Sequence, residues 1–195
     1  TGSCPRGALG EVLRLTAPLA PEVIDLTICP PCTTVFPEVD LRDYQAAAVE
    51  AILAVRQGVL QAPTGSGKTV VAMGAIARLQ TPTIILVHTS ILFEQTIDRI
   101  RDFLGIQAGR IGGGHEDVGD VTVAMVQTLM RRDIDGLAVR FGCVILDEAH
   151  HCPAETFKSV IQRFPARYRI GLTATPNRKD RLHPVLFDTV GPIVH

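Results

Sequence analysis

The sequence predicts an α/β domain, a parallel β-sheet sandwiched between helices. Short apolar runs rich in β-branched residues alternate along the chain with stretches in which apolar residues recur at helical spacing. The runs are apolar at consecutive positions, which is the pattern of strands covered on both faces. Strands alternating with helices imply right-handed crossovers and a parallel sheet, and ligand sites in such sheets gather at the carboxyl ends of the strands.

The first element of the folded region is a helix, in which Leu41, Tyr44, Gln45, Ala48, Ile52 and Val55 keep one face and Gly58 ends the pattern. Strands are expected over 59–62, 83–88, 121–126, 143–146 and 169–173, and helices over 68–79, 91–104, 127–132 and 153–164. Upstream, Pro5, Pro18, Pro21, Pro30, Pro31 and Pro37 leave no room for a useful helix beyond residues 10–15. Residues 1–40 therefore read as a proline-rich connector or the remnant of an upstream domain, and residues 41–195 as one folded domain.

Composition excludes several classes. With 195 residues and 46% hydrophobic content the chain can bury one core. Its 19 basic and 20 acidic side chains, a formal net charge of -1, rule out a broad basic field, so any nucleic-acid contact is local. No apolar run approaches a bilayer span, and no positive N-terminal region precedes an apolar stretch. The expectation is a soluble protein, cytoplasmic or otherwise intracellular, with no membrane partner. Five cysteines, with Cys143 inside a strand pattern and Cys152 beside a His pair, fit reduced thiols better than a disulfide framework. Cys29 and Cys32 have the spacing of half a zinc knuckle, but no second C-x-x-C completes a tetrahedral site, which leaves only Cys4, Cys152 or a His to do so.

Residues 62–69 read Ala-Pro-Thr-Gly-Ser-Gly-Lys-Thr between an expected strand and an expected helix, the context a phosphate-binding loop needs. Gly65 and Gly67 let the backbone bend until successive N–H groups converge on phosphate, and the helix N-terminus adds partial positive charge. Pro63, Thr64 and Ser66 complete the cradle. Lys68 would reach the outer phosphates, and Thr69 would place its hydroxyl on Mg2+. The usual loop begins with Gly where this chain has Ala62. An ordinary glycine-rich turn leaves the adjoining Gly67-Lys68-Thr69 unexplained.

The apolar strand at 144–146 runs into Asp147-Glu148-Ala149-His150. Asp147 is suited to hold Mg2+ and Glu148 to orient and deprotonate an attacking water. An acidic pair at a strand end can also be a solvated turn or a helix cap; coupled to Lys68, it becomes a two-part ATPase signature. Neighbours on an extended strand point to opposite sides, so the turn after Leu146 has to bring both carboxylates to the nucleotide.

With these motifs in this order across residues 41–195, the chain resembles superfamily 2 helicases, specifically the first of their two RecA-like P-loop NTPase lobes. Leu41-Arg42-Asp43-Tyr44-Gln45 looks like the adenine-reading motif, which implies Arg42 and Gln45 at the base. Residues 62–69 are similar to motif I, and Asp147–His150, spelling a DEAH box, to motif II. Residues 87–95 resemble motif Ia and residues 122–129 motif Ib, which implies nucleic-acid backbone contacts from Thr89, Ser90, Gln127 and Thr128; each of these also reads as a helix cap or first turn. Leu172-Thr173-Ala174-Thr175-Pro176 matches motif III, which implies that Thr173 and Thr175 couple nucleotide state to lobe movement. By the same resemblance His150 links the nucleotide site to motif III or to the second lobe. The glycine run centred on Gly113 resembles a strand-contacting loop and reads equally as a surface loop.

Residues 150–154 and 171–180 look most like the branch holding the XPB-type repair helicases and restriction-enzyme-like DNA translocases, which favours DNA as the partner and leaves RNA open. The resemblance implies an ATP-dependent helicase or translocase, with ATP and Mg2+ at the site. It also implies a second RecA-like lobe that supplies arginines for phosphoryl transfer. No such lobe fits after His195, and residues 190–194 look like a connector towards one, so lobe two is expected to be absent and this chain alone to bind nucleotide weakly and hydrolyse it slowly. The alternative is an ATP-gated nucleic-acid-binding or scaffold module of a repair or defence complex that does not unwind; the intact Lys68, Asp147 and Glu148 argue against it.

Overall fold

The computed structural model describes residues 9–19, 24–63, 65–147, 154–174 and 189–194. Its helices are α1 (Leu9–Thr16), α2 (Asp43–Val55), α3 (Lys68–Leu79), α4 (Ser90–Leu104), α5 (Val126–Met130), α6 (Asp135–Ala138) and α7 (Ala154–Ile161). Its strands are β1 (Gln57–Gln61), β2 (Thr83–Val87), β3 (Gly109–Gly112), β4 (His115–Asp117), β5 (Val121–Met125), β6 (Cys143–Leu146) and β7 (Tyr168–Thr173). They form one seven-stranded sheet in the order β1-β7-β6-β2-β5-β3-β4. Every neighbouring pair is parallel except β3 with β4.

The sheet lies between two helical layers. Ile85 and Val87 of β2, Cys143 and Ile145 of β6, and Ile170 and Leu172 of β7 pack with α2, α3 and α4 through Ile52, Ile76, Phe93 and Ile100. Ile84, Leu86, Val144 and Leu146 alternate onto the other face, against Leu129 of α5, Ala138 of α6, and Val160 and Ile161 of α7. Both faces being covered is the reason the strands read as continuous apolar runs.

Helix ends follow local chemistry. Thr89 caps α4, its Oγ1 accepting the Leu92 N–H at 3.2 Å, and Gly105 closes that helix in the left-handed region at φ 67. Helix α2 stops at Arg56, itself left-handed at φ 62, and not at Gly58. Gly58 instead lies inside β1, where a Cβ would meet the Val194 side chain at 2.5 Å. Residues 192–194 run beside β1, with the Val59 N–H donating to Pro192 O at 2.8 Å and the Val194 N–H to Val59 O at 3.0 Å.

The β3–β4 hairpin has no counterpart in the expected elements, because Gly109–Gly112 and His115–Asp117 carry neither a continuous apolar run nor a helical stripe. Gly112 pairs with His115, and the two loop residues Gly113 and Gly114 take φ 59 and 87. Two successive positive φ values are what a two-residue type I′ hairpin requires. The glycine run is thus an ordered turn. Helix α5 is also shorter than expected, ending at Met130.

Residues 28–40 form no long element yet are bonded to the domain. Ile28 bridges Ala166, the Cys32 N–H donates to Gln80 O at 3.1 Å, and Phe36 and Val39 are buried in the core layer of α2, α3 and α4. Gln80, left-handed at φ 47, closes its side-chain amide on Phe36: Oε1 accepts the Phe36 N–H and Nε2 donates to Phe36 O, both at 3.1 Å. Asp120 accepts the N–H and Oγ1–H of Thr33 and the N–H of Thr34 at 2.7–3.2 Å. Among the described residues no helix is long and apolar enough to cross a membrane.

Candidate functional site

Parallel strands put the carboxyl ends of β1, β7, β6, β2, β5 and β3 along one edge of the sheet, with Gln61 level with Thr173, Leu146 with Gly171, and Val87 with Met125. That edge has two halves. β1, β7 and β6 lead into the glycine-rich loop, the Thr173 stretch and Asp147; β2, β5 and β3 lead into Thr89-Ser90, Gln127-Thr128 and Gly113.

In the first half the loop closes on itself before opening into α3. The Ser66 Oγ and N–H both donate to Pro63 O, at 2.7 and 3.2 Å. Gly65 at φ 81 has nothing within 4 Å of a would-be Cβ, so its requirement is conformational. Gly67 at φ 87 begins α3, and a side chain there would run into the Gln45 amide as well. Lys68 is buried, and its ammonium lies inside the curl of the loop, donating to Ala62 O at 3.0 Å and Pro63 O at 3.2 Å. Thr69 follows in the first turn of α3, half-buried. Thr64 lies outside the described residues.

Helix α2 supports this loop. Gln45 is buried, its Oε1 accepts the Arg42 N–H at 3.0 Å, and its Nε2 faces Gly67. The acceptor expected to face a base is thus engaged with the start of its own helix, while the donor is turned to the loop. The exposed Arg42 occupies the N-cap of α2. Tyr44, which the sequence pattern puts on the apolar face of the helix, is exposed and donates its phenol to Ser66 O at 3.1 Å. Its signal was present as the aromatic of the Leu41–Gln45 string.

Asp147 continues the pairing of β6, its N–H donating to Leu86 O at 3.1 Å. Because Val144 and Leu146 face the α5–α7 layer and Cys143 and Ile145 the other, the pleat carried one residue further puts Asp147 on the side of α3. Glu148, His150 and Thr175 lie outside the described residues. Thr173 is buried at the end of β7, and its carbonyl accepts the Ala62 N–H at 3.1 Å, which ties the loop to the neighbouring strand.

In the second half, Gln127 donates its Nε2 to His88 O at 2.8 Å, clamping the start of α5 to the end of β2. Met125 is the N-cap of α5, so Gln127 and Thr128 stand in its first turn without capping it. Thr89 does cap α4, and Ser90 is exposed at its first position. The glycine turn lies against this group: a Cβ on Gly112 would be 2.5 Å from Met125 Cγ and 3.4 Å from Thr128 Oγ1. Gly113 is exposed at the tip.

The cysteine pair has no comparable setting. Burial pushes the Cys32 thiol up to about 12, with Asp120 and Cys29 adding to the effect, so it keeps its proton at neutral pH. Among the described residues no group of three or more His, Cys, Asp or Glu is placed to hold a metal ion.

Known proteins resemble this chain in sequence and in fold. Residues 38–178 match the family model described as type III restriction enzyme, res subunit. The chain is 40% identical over 158 residues to the DNA 3'-5' translocase XPB2 of Sulfurisphaera tokodaii, covering 81% of this chain and 36% of that protein. It is 31% identical over 162 residues to the DNA 3'-5' helicase XPB of Mycobacterium tuberculosis, covering 78% and 29%. It therefore spans about a third of the length of these relatives. In fold it is similar to the UvsW helicase from bacteriophage T4, with a TM-score of 0.72 at 18% identity over 97% of this chain and 78% of that one. It is also similar to the Sulfolobus solfataricus SWI2/SNF2 ATPase core in complex with dsDNA, with a TM-score of 0.65 at 18% identity over 85% and 38%. The chain belongs to the family of the type III restriction enzyme res subunit, and its fold is the first RecA-like lobe of a superfamily 2 helicase close to the XPB type.

Proposed function

We propose that this chain is the nucleotide-binding lobe of an ATP-driven DNA helicase or translocase, with residues 41–195 forming lobe one and a second RecA-like lobe elsewhere in the full-length protein. The observation that carries this reading is the bond between the Ala62 N–H and Thr173 O, which sets the glycine-rich loop beside the end of β7 at one sheet edge. The printed names of the relatives, DNA translocase and DNA helicase, support it.

In this reading the loop N–H groups and the N-terminus of α3 take the phosphates. The Lys68 ammonium, held by carbonyls at the inner side of the loop, exchanges them for outer phosphate oxygens. Tyr44, Arg42 and Gln45 brace the loop and meet the base side. The residues suit magnesium: Thr69 in the first turn of α3 and Asp147 on the same side of the sheet offer hydroxyl and carboxylate oxygens, the hard donors this ion takes. When bound, the ion neutralises charge on the outer phosphates. Glu148 orients and deprotonates the attacking water, and His150 and Thr175 relay the nucleotide state. Arginines from lobe two complete the site. At the other half of the edge, Thr89, Ser90, Gln127, Thr128 and Gly113 meet the DNA backbone.

The test is ATP hydrolysis by the full-length protein with and without double-stranded DNA, single-stranded DNA and RNA, beside Lys68→Ala. DNA stimulation that Lys68→Ala abolishes is the expected result. Nucleotide binding without stimulation by any nucleic acid would overturn the motor reading.

A further inference from the structure

The outer side of β1 is occupied. Residues 192–194 run parallel to it with Ile193 level with Val59, the Val59 N–H donating to Pro192 O at 2.8 Å and the Val194 N–H to Val59 O at 3.0 Å. On its other side Val59 pairs with Gly171 of β7. The segment is anchored before it reaches the sheet. The Arg169 guanidinium, buried near the start of β7, donates to Thr189 O at 3.3 Å and to Phe164 O at 2.8 Å, and Val190 is buried in the α5–α7 layer. Two glycines allow the close approach. Gly191, at φ 132, passes β1 so tightly that a Cβ would be 3.0 Å from Gln57 O, and Gly58 leaves the space that the Val194 side chain fills.

We propose that residues 189–194 are a coupling strand between the glycine-rich loop and the second lobe, with Gly58 as the positioning residue that seats it. The inference rests on the motor reading above, in which a second lobe follows this segment, and adds how lobe one holds its start. β1 leads into the glycine-rich loop, and Ala62 lies about 10 Å along the strand from Val59. The parallel segment heads the same way, so the chain runs out of lobe one beside that loop. A free linker lets the domain it carries sample many placements. A segment bonded along β1 and pinned at Thr189 by Arg169 instead fixes where the second lobe begins. Phosphoryl transfer that draws arginines from that lobe depends on this placement.

The experiment measures nucleotide affinity and DNA-stimulated ATP hydrolysis of the full-length protein for the parent, Gly58→Ala, Gly58→Ala combined with Val194→Ala, and Val194→Pro. In Gly58→Ala the new methyl meets the Val194 side chain at 2.5 Å and Pro192 O at 3.0 Å. Five residue pairs hold β1 to β7, so the segment and not the strand gives way. Val194→Pro removes the N–H donated to Val59 O and leaves β1 unaltered. Stimulated kcat is expected to fall roughly 10–100-fold in Gly58→Ala and in Val194→Pro, the scale of a displacement of about 1 Å at reacting groups. Nucleotide Kd stays parental, and adding Val194→Ala to Gly58→Ala restores most of kcat. Parental kcat in either variant, no restoration by Val194→Ala, or kcat and nucleotide affinity falling together overturns the inference and leaves the motor reading standing. Val194→Pro decides alone should Gly58→Ala not fold. A parent that DNA does not stimulate overturns both.

Discussion

The Ala62 N–H donates to the Thr173 carbonyl at 3.1 Å, so the first residue of the glycine-rich loop hangs on the last residue of β7. β7 lies between β1 and β6 in the sheet. Any shift of the loop is therefore felt by the strand leading into Ala174 and the residues after it, and that strand is also the neighbour of the one ending at Asp147.

Gly67→Ala is expected to lose nucleotide binding and some stability together. A left-handed φ costs a non-glycine residue about 1–2 kcal/mol, and the new methyl also displaces the Gln45 amide. Thermal unfolding and nucleotide titration of the variant check this; parental affinity would contradict it.

Tyr44→Phe removes one hydrogen bond, from the phenol to Ser66 O, and leaves the ring. At a partly exposed site the loss is at the low end of about 0.5–1.5 kcal/mol, so nucleotide affinity should fall roughly threefold with no change in the fold. Calorimetric titration of both proteins decides the matter.

Gln127→Ala frees the His88 carbonyl and unclamps α5 from the end of β2. DNA affinity should drop by about two- to tenfold, the range of one hydrogen bond, while nucleotide affinity holds. Equal losses in both would show that the clamp serves the whole sheet edge.

Asp120 makes stability depend on pH. Its partial burial pushes the carboxyl up, but hydrogen bonds from Thr33 and Thr34 outweigh this and hold it below its ordinary value. A depressed folded value stabilises above the unfolded carboxylate pKa, about 3.9, and that contribution is lost as pH falls through the folded value. Urea unfolding should therefore find Asp120→Asn less stable than the parent at pH 7, by about 1–2 kcal/mol for charge-assisted bonds at a partly exposed site, with the gap closing as pH falls through the depressed folded value. A gap that persists in acid would assign the effect to packing.

The central strands, the loop at Gly65–Lys68 and the carboxylate after β6 were legible in the sequence because each depends on neighbours along the chain. A strand buried on both faces must be apolar at every position, and a phosphate loop needs its glycines at set offsets from its lysine. The β3–β4 hairpin was not legible, since a short edge hairpin carries no apolar run and Gly113-Gly114 reads alike as turn or loose loop. Nor was the bonding of residues 28–40, whose prolines exclude helix and say nothing of Gln80 or Asp120 at the other end of their hydrogen bonds.

By itself, then, the sequence determined the fold class, the order of the motifs and the residue types in the glycine-rich loop and after β6. Only the tertiary structure decided the strand order that puts β7 between β1 and β6, the side of the sheet that Asp147 takes, and the engagement of Gln45 with Arg42 and Gly67. The physical reason is range. Propensity, periodicity and glycine geometry act over a few residues, whereas strand order, pleat direction and charge compensation arise where distant segments meet.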